Sequence, residues 1–145
     1  MSVQTLEALL DGTADGVYRF RPQTPAPVPT GPLRHVLVPV QAVREKSAFL
    51  AACAGALAFP PHFGHNWDAF YDCMTDAMSG LGPAALVVFD DLTGFAQSAP
   101  AEFEAAVDAL ADAAEFWRER GGRLVVLAGM SEPLAAPELP EISLR

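Results

Sequence analysis

Three short apolar runs constrain the fold of this chain more than any other feature. They are His35-Val36-Leu37-Val38-Pro39-Val40, Ala84-Ala85-Leu86-Val87-Val88-Phe89 and Arg123-Leu124-Val125-Val126-Leu127-Ala128. Unbroken runs of this length are strands buried on both faces, which implies a parallel sheet covered by helices. Pro39 has no N–H to give to a ladder, so it puts the first run at a sheet edge or ends it early. Helical patterns separate the runs. Residues Glu45 to Leu57 place Phe49, Leu50, Cys53 and Leu57 on one stripe, and Ala101 to Arg120 do the same with Phe103, Val107, Leu110, Ala114 and Trp117. Gly121-Gly122 then stop the second helix. The expected class is α/β, a small three-stranded parallel sheet packed with helices.

The same pass divides the chain. Residues 1–33 read as an N-terminal extension and linker: a short helix over Thr5 to Leu10, an alternating edge strand over Gly16 to Arg21, then five prolines between Pro22 and Pro32. The main domain is expected over 34–129, followed by a tail over 130–145 whose prolines predict irregular structure. At 145 residues and 51% hydrophobic composition, the chain has enough apolar material for one core. No apolar run approaches the roughly 20 residues of a membrane span. The first residues have no basic stretch followed by an apolar one, so the expected location is cytoplasmic, with Cys53 and Cys73 as reduced thiols.

The formal charge of −9 disfavours nucleic acid and anionic membranes as partners and favours a basic protein. An acidic surface also serves solubility, so charge alone assigns no function. The informative stretch runs from Phe59 to Asp76. Pro60-Pro61 end the preceding helix, Gly64 gives the loop backbone freedom, and Asn66 can cap a new helix. On that helix Trp67, Phe70, Met74 and Met78 share one face, while Asp68, Asp72 and Asp76 lie four apart on the other. Like charges at this spacing cost a helix about 0.2–0.5 kcal/mol per pair. A solvated face is the ordinary reading of such a row; neutralisation by a cation, a metal or a basic cleft is the sharper one.

The segment Phe63-Gly64-His65-Asn66-Trp67-Asp68-Ala69-Phe70-Tyr71-Asp72-Cys73-Met74-Thr75 resembles the signature of the barstar family. That signature reads aromatic-Gly-x-Asn-x-Asp-Ala-x-aromatic-Asp-Cys-apolar-Thr, and Gly64, Asn66, Asp68, Ala69, Asp72, Cys73 and Thr75 match without a gap. The likeness extends more loosely from about Arg34 to Gly129. It implies an intracellular inhibitor that binds and blocks the active site of a basic ribonuclease, with no cofactor, no metal and no catalysis of its own. The implied contact residues are His62, Phe63, Gly64, His65, Asn66, Asp68, Tyr71, Asp72 and Thr75. Asp72 matches the carboxylate that sits where the RNA phosphate would lie, and Asp68 matches one beside it. There are departures from the family prototype. His62 replaces an interface tyrosine and His65 an acidic residue. Phe116 stands where a further acidic contact is expected, although Glu115 and Glu119 are close. They leave the partner open, so a binding module for another basic protein or toxin is the alternative.

Two further readings have less support. His62, His65, Asp68, Asp72 and Cys73 contain metal-ligating types, but a His-x-x-His pair is common by chance and Cys73 does not share a face with the aspartates. Paired aspartates can perform acid–base chemistry, yet the chain lacks a phosphate-cradling Gly-rich loop and a G-x-S-x-G elbow. Asp90-Asp91 end a strand where α/β proteins often bind ligands, and strand-ending turn residues are their ordinary reading.

Overall fold

A computed structural model of the chain describes residues 4–5, 15–22, 34–60, 63–131, 139–140 and 142–143. Its elements are β1 (Gln4–Thr5), β2 (Gly16–Phe20), β3 (Arg34–Val38), α1 (Lys46–Ala56), α2 (Trp67–Leu81), β4 (Ala84–Phe89), α3 (Thr93–Ser98), α4 (Pro100–Glu119), β5 (Arg123–Gly129) and β6 (Ile142–Ser143). The main sheet is wholly parallel, in the order β2-β5-β4-β3. The α/β class holds, but the sheet has four strands where three were expected. The fourth is β2, the alternating segment of the N-terminal extension, which pairs with β5 from Gly16↔Val125 to Phe20↔Gly129.

Position in the sheet explains the composition of each strand. β4 and β5 are central and buried on both faces. Ala85, Val87, Phe89, Leu124, Val126 and Ala128 join the main core. Leu86, Val88, Val125 and Leu127 join a smaller cluster with Tyr18 and Phe20 of β2. That is why both strands read as unbroken apolar runs. β3 is an edge strand: Val38 is buried while Leu37, 46% exposed, faces out. It ends immediately before Pro39, as the missing N–H requires.

The strand ends are tied by the two aspartates. Asp90 Oδ1 accepts hydrogen bonds from the backbone N–H of Val40 at 2.7 Å and of Asp91 at 2.8 Å. Asp91 Oδ1 accepts one from Thr93 N–H at 3.0 Å, at the start of α3. Both side chains therefore serve the turn after β4. Gly129 lies against this turn: a Cβ there would overlap the carbonyl oxygen of Asp90, so the close approach of β5 to the turn requires glycine.

The extension and tail also reach the main body. Arg19 donates to the carbonyls of Pro140 and Leu139, each at 2.9 Å, and Asp15 pairs with Arg118 of α4 at 3.1 Å. In the tail, expected to be irregular, Ile142–Ser143 form β6 and pair in parallel with Gln4–Thr5. Residues 6–10 of the helix expected over Thr5 to Leu10, most of the proline-rich linker, and residues 132–138 of the tail lie outside the described residues. Among the described residues, no helix is long and apolar enough to cross a membrane.

Cys53 on α1 is fully buried and Cys73 on α2 partly so, both as free thiols. Burial pushes the Cys53 thiol far above its ordinary value of 9.0. Burial, with the neighbouring Asp76 and Asp72, raises Cys73 as well. A raised thiol pKa favours the neutral, folded form. Its stabilisation is fully present below the unfolded value and is lost as pH rises past it. Unfolding free energy from urea titrations is therefore expected to fall above pH 9, by up to about 1.4 kcal/mol per pH unit for Cys53. Cys53→Ala is expected to flatten that alkaline limb, and an unchanged slope would contradict the assignment.

Candidate functional site

The site is built on α2. α1 ends at Ala56, before the prolines expected to stop it: Leu57 N–H donates to Cys53 O, Ala58 takes a left-handed backbone (φ 54°) and Phe59 N–H donates to Ala54 O. After this turn Phe63 N–H donates to Pro60 O at 3.0 Å. Asn66 has extended backbone angles (φ −142°, ψ 168°) and its Oδ1 accepts from Ala69 N–H at 2.8 Å, the expected N-cap. Asp68 lies in the first turn, where the helix dipole favours a carboxylate. Gly64 is not in the left-handed region, so its role is different from the one expected. A Cβ at Gly64 would sit 3.4 Å from Asn66 Nδ2, beside the cap.

The apolar face of α2 holds it in place. Phe70 and Met74 are fully buried, and Trp117 of α4 donates its indole N–H to the Met74 carbonyl at 3.0 Å. Trp67, on the same face, is half-buried against the core: its ring meets Phe49 and Phe70, and its N–H donates to Glu102 Oε2 at 2.9 Å. These contacts set α2 beside α4 with the polar face of α2 outward. Asp68, Asp72 and Asp76 are all exposed.

A groove of about 650 Å³ runs between the two helices. One wall carries Trp67, Asp68, Tyr71 and Asp72 of α2; the other carries Asp108, Asp112, Glu115, Phe116 and Glu119 of α4. Six carboxylates thus face one depression, and Tyr71 meets Phe116 edge-on, with ring centroids 6.5 Å apart. Asp76 does not line this groove. Such an arrangement favours a cationic surface, because each carboxylate gains from an opposite charge and is repelled by its neighbours.

The expected contact residues fall into three groups. Asp68, Tyr71 and Asp72 line the groove. Gly64, His65 and Asn66 are exposed in the loop before α2, and Thr75 is half-buried one turn beyond Asp72, donating its hydroxyl to the Asp72 carbonyl at 2.8 Å. Phe63 is 7% exposed and packs against Phe59 and His65, so it anchors the loop from beneath. His62 lies outside the described residues. Asp108 and Asp112 were missed in the sequence. With Glu115 and Glu119 they fall at spacings of four, three and four, a one-face pattern like that of the α2 row. Among the described residues, no group of three or more His, Cys, Asp or Glu side chains is arranged to hold a metal ion.

Comparison with known proteins identifies the family. The family model described as Barstar (barnase inhibitor) matches residues 33–129, from just before β3 to the end of β5. A comparison with curated proteins returns no match.

Proposed function

The chain belongs to the barstar family, and from that premise we propose that it is a cytoplasmic inhibitor that blocks the active site of a basic ribonuclease with α2 and the loop before it. The observation that carries this reading is the carboxylate-lined groove, in which Asp68 and Asp72 stand on a helix fixed by a side-chain cap and a buried aromatic face. A ribonuclease cleft is built to attract a polyanion, and a carboxylate on a rigid helix can take the place of an RNA phosphate before the same cationic groups. Asp72 is assigned that role, Asp68 supports it, and His62, Gly64, His65, Asn66, Tyr71 and Thr75 surround the contact. Phe63 holds the loop in position. The binding domain is assigned to residues 34–129, with β2 completing its sheet.

The family is one of inhibitors, and no step of catalysis is assigned to this chain. Electrostatic attraction between an acidic groove and a basic cleft speeds association at low ionic strength and is screened as salt rises. The test is to immobilise the full chain, offer it a panel of basic microbial ribonucleases, and assay RNA cleavage by whatever it captures. Stoichiometric capture with cleavage arrested by the chain is the expected result. Failure to capture or slow any ribonuclease would overturn the inhibitor reading and favour a module for another basic protein or toxin.

A further inference from the structure

Phe116 is a ridge between two depressions. On one side is the carboxylate-lined groove; on the other is a shallow cleft whose lining includes Thr75, Asp76, Met78 and Arg120. Tyr71 packs nearly perpendicular to the Phe116 ring, and the guanidinium carbon of Arg120 lies 3.6 Å from its centroid. At that distance a planar cation is stacked on the negative face of the ring. Glu115 and Glu119 are on the same helix, yet among the described residues Arg120 forms an ion pair with neither. The ring, rather than a carboxylate, holds it.

We propose that the face of Phe116 is a seat for an arginine side chain of the partner protein, that Arg120 fills this seat in the free protein, and that binding displaces it. The proposal rests on the reading that the α2–α4 face meets a basic protein, and it adds the chemistry of one contact. Two observations favour it. The seat adjoins Thr75, one turn beyond Asp72, so a surface covering Asp68 and Asp72 continues onto it. Arg120 is exposed, follows the last residue of α4 and precedes Gly121 in the left-handed region, so it can swing away without disturbing a helical turn. An arginine suits the seat better than a lysine, because a planar, weakly hydrated guanidinium stacks where a compact ammonium keeps its water.

The test uses the full chain and two probes, blocked tetra-arginine and tetra-lysine peptides, titrated at low salt by calorimetry and NMR. Removing the Arg120 charge strengthens attraction for both peptides, so the ratio of their affinities isolates the seat. Arg120→Gln is expected to tighten tetra-arginine about two- to fivefold more than tetra-lysine. Phe116→Leu on that background is expected to erase the difference. In the wild type, the Arg120 side-chain protons are expected upfield from the ring current, and saturating tetra-arginine should abolish that shift. An equal gain for both peptides, a preference that survives Phe116→Leu, a persistent upfield shift, or no binding of either peptide would overturn the proposal. No ribonuclease is involved, so its failure is distinguishable from failure of the inhibitor reading.

Discussion

Asp72→Ala is expected to weaken binding of a captured ribonuclease by about 2–5 kcal/mol, roughly 30-fold to several-thousand-fold, with most of the loss in the dissociation rate. The size follows from what the complex would bury. Asp72 is exposed in the free chain, and seating it in a cationic cleft strips its water and that of its partners. Truncation then leaves those cations desolvated and unpaired. The fold should respond in the opposite sense. Asp72 stands four residues from both Asp68 and Asp76, so its removal relieves two like-charge pairs, each costing about 0.2–0.5 kcal/mol. Surface plasmon resonance for binding and urea unfolding for stability would read the two effects separately. Unchanged affinity would remove α2 from the interface even if inhibition is real, and a parallel loss of stability would point to misfolding.

Trp117→Ala is expected to lower unfolding free energy by about 3–5 kcal/mol, the usual cost of deleting a large buried aromatic side chain. Trp117 is fully buried on α4, and its indole N–H is donated to the Met74 carbonyl of α2. The substitution therefore removes both packing and a tie between the two groove walls. Trp117→Phe should cost less, since it keeps most of the volume and loses the hydrogen bond, worth about 0.5–1.5 kcal/mol. Urea titration of both variants would check the order. A drop below about 1 kcal/mol for the alanine variant would contradict the position of Trp117 in the core.

The parts of this protein that were legible in its sequence are those set by local physics. β4 and β5 are unbroken apolar runs because both of their faces are buried, and Asn66 reads as a cap because the helix start needs an acceptor beside it. The fourth strand was harder to place. Gly16–Phe20 reads as a strand, but its pairing with β5 depends on residues more than a hundred positions away, across a proline-rich stretch. The second wall of the groove has the same origin. Asp108 and Asp112 look like the solvated face of any long amphipathic helix, and only the packing of α4 against α2 sets them opposite Asp68 and Asp72. Phe63 illustrates the converse. Its place in the motif marks it as a contact, and its burial against Phe59, which the motif does not show, makes it a support for the loop.

The pairing of β2 with β5 also governs when the molecule can assemble. β2 and its partner, Arg123–Gly129, are more than a hundred residues apart in sequence. That ladder cannot close on the ribosome until residues 123–129 have followed residues 16–20 out of it. Ladders between such distant segments close slowly, since chain entropy must be spent before the contacts reward it. For a protein whose proposed task is to block a ribonuclease, this delay separates synthesis from protection. It favours producing the inhibitor ahead of its target.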